Sequence, residues 1–235
     1  MLLDKKSEIT QQEMNSLMKK IIIRFSLLPV FLGLLIFIPA GTFNFWQVFL
    51  YFAILVVPMI FVLFYFLKND PKFLERRTKY KEKEKQQALI AILSTVVFLA
   101  GFIITGLDHR FAWSLVPIHI TIVADIIILL GYLVIFFVFK QNSYASRIIE
   151  VSEDQKVIST GLYRIVRHPM YLGVLIMFLP TPIALGSYWG LIPFAILPVT
   201  LVLRIFNEEK VLTENLKGYK EYCQITKFRL VPFVW

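Results

Sequence analysis

Apolar residues gather along this chain into six long blocks, near 21–39, 45–67, 88–106, 115–139, 169–186 and 188–206, with polar stretches between them. Each block approaches the ~17–25 residues that a helix needs to cross a bilayer core. Lipid offers the backbone no hydrogen-bond partners, so such blocks must be mostly helical. The pattern predicts an all-α integral membrane protein of about six transmembrane helices. Pro29 and Pro58 interrupt the first two blocks, which neighbouring helices tolerate. Pro180, Pro182, Pro193 and Pro198 irregularise the last two, which "LGSYWG" joins into a tight helical hairpin.

The polar stretches divide the chain into two parts. Residues 1–139 read as a transmembrane scaffold of four spans, and 140–235 as a core of polar segment, hairpin and C-terminal tail. The run "KNDPKFLERRTKYKEKEKQQ" (68–87) mixes charges of both signs and predicts a solvated helix or linker, with an interfacial helix on anionic lipid as the alternative. "RIIEVSEDQKVIST" (147–160) has two apolar-rich arms around a polar turn, which suggests a small β-hairpin or an extended turn. Gly161 then permits an unusual backbone angle, and Pro169 suits the first turn of the next helix.

Composition fits this setting. The chain is 57% hydrophobic and 17% charged, with mean hydropathy +0.69, whereas a soluble domain is about 45–50% apolar and about 25% charged. The net charge of +9 alone would admit nucleic acid, but its distribution excludes that reading. Lys and Arg fall before the first block, between blocks two and three, between four and five, and from the end of block six onward. Only Arg110 falls on the other side, so 24 of the 25 basic residues share one face. That bias puts both termini and residues 68–87 in the cytoplasm of a multi-pass protein. The mostly polar N-terminal residues do not read as a secretory signal. The single Cys223 excludes an internal disulfide framework and multi-cysteine metal sites, and the three histidines lack zinc-binding spacing, so no metal is expected. Asp125 is an ionisable residue at membrane depth, either functional or a bridge between helices.

Candidate chemistry concentrates in "GLYRIVRHPMYLG" (161–173), where Arg164, Arg167 and His168 crowd the threshold of an apolar block. Such cations either anchor a membrane helix or hold something anionic. Further on, Arg204 and Glu208 lie four apart and Tyr219 and Tyr222 three apart, each pair on one helical face. Taken singly these are an ordinary ion pair and interfacial aromatics.

Taken together they form an ordered set: Gly161 and Tyr163; Arg167, His168, Pro169, Tyr171 and Gly173; a hairpin of two apolar helices; Arg204, Glu208, Glu209 and Leu212; Tyr219 and Tyr222; then Arg229, Leu230 and Pro232. This set resembles the isoprenylcysteine carboxyl methyltransferase family and its phospholipid N-methyltransferase relatives, over about the last 80 residues. "LDHRFAWS" (107–114) and "NSYASR" (142–147) are weaker echoes of bacterial members.

The resemblance implies a membrane-embedded enzyme using S-adenosylmethionine, with its cofactor pocket at the cytoplasmic ends of the last two spans. It implies that Tyr163, Arg167, His168, Pro169, Tyr171, Gly173, Glu208, Glu209 and Tyr222 hold the cofactor. Arg167, His168 and the helix starting at Pro169 suit its carboxylate. Glu208 and Glu209 suit its ammonium and ribose. The tyrosines suit stacking or cation–π contact with the sulfonium. Arg204 and Glu208 are the catalytic candidates. A carboxylate acceptor needs a cation to hold it, which Arg204 supplies; an amine acceptor must be neutral and needs a nearby carboxylate for its proton. The acceptor is expected to enter from the bilayer: a prenylated cysteine carboxylate, a phospholipid amine, or another hydrophobic small molecule. A nicotinamide-dependent sterol-type reductase on the same scaffold and a non-enzymatic scaffold or transporter are the other readings.

Overall fold

The computed structural model describes residues 11–78, 85–146, 148–149, 151 and 155–235. Among the described residues the regular elements are all helical: α1 (Gln11–Ala40), α2 (Trp46–Asn69), α3 (Pro71–Thr78), α4 (Lys85–Phe111), α5 (Ile118–Gln141), a 3-10 turn (Gly161–Arg164), α6 (Pro169–Phe178), α7 (Thr181–Ala184), α8 (Leu191–Phe194), α9 (Leu197–Asn215) and α10 (Tyr219–Ile225). Five apolar segments are long enough to cross a bilayer: Ile21–Ala40, Trp46–Asn69, Lys85–Phe111, Ile118–Gln141 and Leu191–Asn215. α1 and α2 run unbroken through Pro29 and Pro58.

The fifth of the six expected spans departs from the pattern. Pro169–Ala184 is a shorter apolar segment, ~24 Å at 1.5 Å per residue against a hydrocarbon core of ~30 Å. α6 stops at Phe178, and α7 resumes past Pro180. Pro180 and Pro182 bring no amide donor to a helical ladder. Broken backbone at that depth is tolerated where protein rather than lipid surrounds it. Here Tyr171, Gly173, Leu175, Met177, Thr181 and Ala184 are all buried, and the segment packs mainly on α5.

That packing is unusually close. A Cβ placed on Gly131 of α5 would meet Met177 N at 2.7 Å and Gly173 O at 2.9 Å; one on Gly173 would meet Ile135 Cγ1 at 2.7 Å. The two glycines let backbone touch backbone, as small residues do between membrane helices. The outer faces carry exposed Phe49, Val57, Phe64, Val96, Ile126 and Leu133, in keeping with contact to lipid. A core of Tyr51, Phe102, Ile128, Met177 and Phe194 lies between the helices.

Two ends follow. At one, the turns 41–45, 112–117 and 185–190 meet. The rings of Phe45 and His109 stack at 3.7 Å. Asp108, fully buried, accepts from Ser114 N and Ser114 Oγ, both at 2.7 Å, and from the Ser187 hydroxyl. Ser114 Oγ accepts in turn from Tyr188 N at 3.0 Å, and Ser187 Oγ from Gly190 N at 2.9 Å.

At the other end, α3 is not simply solvated. Phe73 and Leu74 are buried beside Phe66. Arg76 Nε donates to Ser143 O at 2.9 Å, and Arg77 Nη1 to Ser146 O at 3.0 Å. The rest of the charged run, 79–84, lies outside the described residues. The suggested hairpin at 147–160 is not a strand pair in its described parts: Ile148, Ile149, Val151 and 155–160 carry no strand, and its turn, 152–154, lies outside them. Asp125 is buried on α5 on the same face as Thr121 and Ile128, and neither carboxylate oxygen meets a hydrogen-bond partner among the described residues.

Candidate active site

The 161–173 motif is held by what flanks it. Gly161 has φ +58°, and a Cβ there would strike the Gln141 carboxamide at 2.5 Å. That carboxamide accepts from Leu162 N at 3.0 Å, so a bulkier residue at 161 would lose both the angle and the contact. The 3-10 turn then places Tyr163 over α10. The Tyr163 hydroxyl accepts from Asn142 Nδ2 at 2.8 Å, and its carbonyl accepts from Tyr222 Oη at 2.7 Å and from Thr226 Oγ1 at 3.3 Å. Burial pushes the Tyr163 phenol well above its ordinary range and the Tyr222 phenol up to about 12.

Beyond the turn the chain runs extended, so its amides need outside partners. Arg167 N donates to Phe228 O and His168 N to Arg229 O, both at 2.9 Å. The segment after α10 is thus a hook that lies along the motif. It is closed on itself by Leu230 N and Val231 N, which donate to Trp235 O at 2.9 and 3.1 Å. Pro169 then opens α6, where no amide is missed.

Two charged clusters stand side by side. In the first, Arg204 Nε donates to Tyr171 Oη at 2.9 Å, and Tyr171 Oη donates to Glu208 Oε2 at 2.5 Å. Three residues from two helices form one line, with the buried phenol as its middle link. In the second, Glu209 accepts from Arg167 Nη1 at 3.1 Å and from Arg229 Nε at 2.8 Å. His168 stands between them, Nδ1 at 3.9 Å from Glu208 Oε2 and Nε2 at 3.4 Å from Glu209 Oε1, off the hydrogen-bond axis.

Beside these clusters opens a cavity with about 850 Å³ of free space, its mouth included. Of the residues proposed from sequence, Tyr163, Arg167, His168, Pro169, Tyr171, Arg204, Glu208 and Tyr222 line it. Glu209 and Gly173 do not. Glu209 turns away to the hook, and Gly173 serves the α5–α6 contact. Arg167 also differs from expectation. Besides Glu209, its guanidinium donates to Thr226 O at 2.7 Å and Cys223 O at 2.8 Å, so it binds the hook rather than presenting an open fork.

Several contributors had no place in the pocket from the sequence alone. Asn142 orients Tyr163. Tyr219, whose buried hydroxyl meets no hydrogen-bond partner among the described residues, lines the cavity. Gln87, fully buried on α4, holds Nε2 at 3.5 Å from Arg204 O, a long contact. A glutamine pair, Gln86 and Gln87, opening an apolar block was the available signal for Gln87. The apolar wall comes from Ile148, Ile149, Val157, Ile158 and Leu212.

Fold and site together describe a multi-pass helical membrane protein with a half-polar, half-apolar cavity at one end. Residues 119–218 match the profile of a family described as phospholipid methyltransferase, and methyltransferases of that family use S-adenosylmethionine. This matched stretch is thus similar to a membrane methyltransferase domain. It contains α5, the motif, and both Arg204 and Glu208. Over 90 residues the chain is also 30% identical to a delta(14)-sterol reductase of Mus musculus, covering 37% of this chain and 22% of that protein. The match thus spans about a fifth of the reductase's length.

Proposed function

We propose that this chain transfers a methyl group from S-adenosylmethionine to the polar end of a hydrophobic acceptor that enters from the bilayer. The supporting observation is the meeting, around one cavity, of the Arg204–Tyr171–Glu208 line and the aliphatic side chains of Ile148, Ile149 and Leu212. Methyl transfer from a sulfonium is an in-line displacement with a built-in leaving group. Alignment and a dry site serve it better than covalent catalysis.

In this reading His168, Tyr163, Tyr171, Glu208 and Tyr222 hold the cofactor. Pro169 starts the helix that points at it. Arg167 and Glu209 keep the pocket's wall in place through the hook. Arg204 grips the acceptor. Cations outnumber carboxylates on the cavity wall, with Lys156, Arg167 and Arg204 against Glu208. That balance favours a carboxylate acceptor, as in the isoprenylcysteine carboxyl methyltransferases the motifs resemble. The cavity opens to the cytoplasm, where the cofactor is made available, and both termini lie on that side.

A second acceptor reading rests on the phospholipid methyltransferase match. An amine acceptor would pass its proton to Glu208, which Tyr171 already steadies. A third rests on the sterol reductase likeness and would put a nicotinamide cofactor in the cavity. Binding measurements separate the cofactors: the purified protein should bind labelled S-adenosylmethionine saturably. Binding of NADPH alone would hand the site to the reductase reading. Incubating membranes with methyl-labelled cofactor and treating the extract with mild base then separates the acceptors, since a methyl ester releases its label and an N-methyl group does not.

A further inference from the structure

The hook shows an apolar face that none of the described residues covers. Phe233 is 88% exposed, Val234 78%, and Ile225, at the end of α10, 76%. Phe233 also sits at φ +64°, a backbone region that bulky residues disfavour. The turn closing on Trp235 O holds it there, with its ring 5.3 Å from Phe228. A glycine would adopt that angle without strain. A large ring directed outward on a strained turn calls for a partner.

The neighbouring surface indicates which one. Trp235 packs edge-on against Phe206 of α9 at 5.5 Å. Phe206 continues the exposed apolar stripe of that helix through Leu203 and Val199. The hook's apolar face is therefore continuous with the lipid-facing side of a membrane-spanning segment. The Arg229 guanidinium lies over both the Phe206 and Trp235 rings, at 5.4 and 5.3 Å. Arg and Trp together, stems in apolar surface and polar tips toward water, mark the headgroup level of a bilayer.

We propose that the hook, residues 226–235, docks on the bilayer surface, with Phe233 and Val234 seated at the headgroup–acyl boundary on the cavity's side. The consequence reaches the site through bonds already described. The hook's carbonyls hold the Arg167 and His168 amides and the Arg167 guanidinium, and its Arg229 holds Glu209. Lipid contact therefore steadies one wall of the cavity. This coupling rests on the methyltransferase reading; the docking itself does not.

The test uses the full chain in lipid nanodiscs. A nitroxide at Phe233→Cys, and separately at Val234→Cys, on a Cys223→Ser background reports depth by collision with oxygen or with a water-soluble nickel chelate. Docking predicts oxygen-dominated collisions at both positions. Chelate accessibility matching the same label on an unfolded peptide in buffer would overturn it, as would protection by a second copy that vanishes on dilution to one chain per disc. For the coupling, Phe233→Asp should weaken S-adenosylmethionine binding in nanodiscs about tenfold, the worth of one net hydrogen bond. Unchanged affinity would refute the coupling. A chain that binds no S-adenosylmethionine at all would refute the functional reading and leave the depth result standing.

Discussion

At one end of the bundle Asp108 accepts from Ser114 N, Ser114 Oγ and Ser187 Oγ, and the two serine oxygens accept in turn from Tyr188 and Gly190. At the other, Glu208 and Glu209 accept from Tyr171, Arg167 and Arg229. Both clusters set carboxylates among donors, yet they differ in what they leave over. Each Asp108 oxygen is satisfied, and its donors come from the loops it ties. The second cluster stands beside a cavity, with His168 Nε2 and the Tyr219 hydroxyl still short of partners among the described residues. A closed network fixes loops, whereas polar groups left unmet beside a cavity are poised for a ligand.

Four substitutions would sharpen or break this contrast. Arg204→Lys keeps the charge but loses the planar fork. Turnover should fall about 100-fold, ~2.7 kcal/mol of barrier, with cofactor affinity nearly unchanged in equilibrium binding. A parallel fall in both would move Arg204 into the cofactor pocket or into a structural pair with Glu208. Next comes Asp108→Ala, which strands the donors of Ser114 and Ser187 and should destabilise the fold by ~2–3 kcal/mol. Chemical unfolding in detergent measures that loss. Cofactor affinity should stay put, and a change there would mean the two ends are one system.

A smaller effect is expected at His168. His168→Ala should weaken cofactor binding about tenfold, one net hydrogen bond, while the unfolding midpoint holds. A midpoint that drops with intact affinity would make His168 another Asp108. The least effect belongs to Tyr222. Burial pushes its folded phenol up to about 12, against about 10 when unfolded. The folded state therefore holds a proton that the unfolded state releases between those values. The contribution is fully present below about pH 10 and is lost as pH rises toward 12, with a slope of at most ~1.4 kcal/mol per pH unit. Tyr222→Phe should flatten that part of an alkaline unfolding series; an unchanged slope would mean the hydroxyl is solvated in the folded state.

The long apolar blocks and the one-sided charge made the helical bundle legible from sequence. Length plus hydropathy measures membrane crossing directly wherever a helix faces lipid. At 169–186 the apolar segment is shorter than a full span, because a segment wrapped by α4, α5 and α9 need not match the bilayer. The site was legible in its residue types and less so in their duties. Arg167 and Glu209 carry the charges a zwitterionic cofactor calls for, yet their bonds go to the hook. Spacing along a chain gives a helical face. It does not show which of two adjacent glutamates, Glu208 and Glu209, turns to the cavity. Apart from the Arg229 side chain, the hook's part was hidden because it works through main-chain carbonyls at Thr226, Phe228 and Arg229, and those leave no mark on side-chain identity.

The contact of Gly131 with Gly173 has a mechanical meaning. Side chains between helices act as a compressible gasket that absorbs small shifts by changing rotamer. Here the gasket is thin, for the Gly131 and Gly173 backbones come together with Ile135 and Val134 beside them. α5 therefore serves as a straightedge for α6, and Tyr171 lies only two residues from the bearing point. A single methyl at 131 or 173, deep in the bundle and remote from any reacting atom, would tilt α6. The Tyr171 hydroxyl would then swing out of the line it shares with Arg204 and Glu208. The alignment of the site is set by two residues that have no side chain at all.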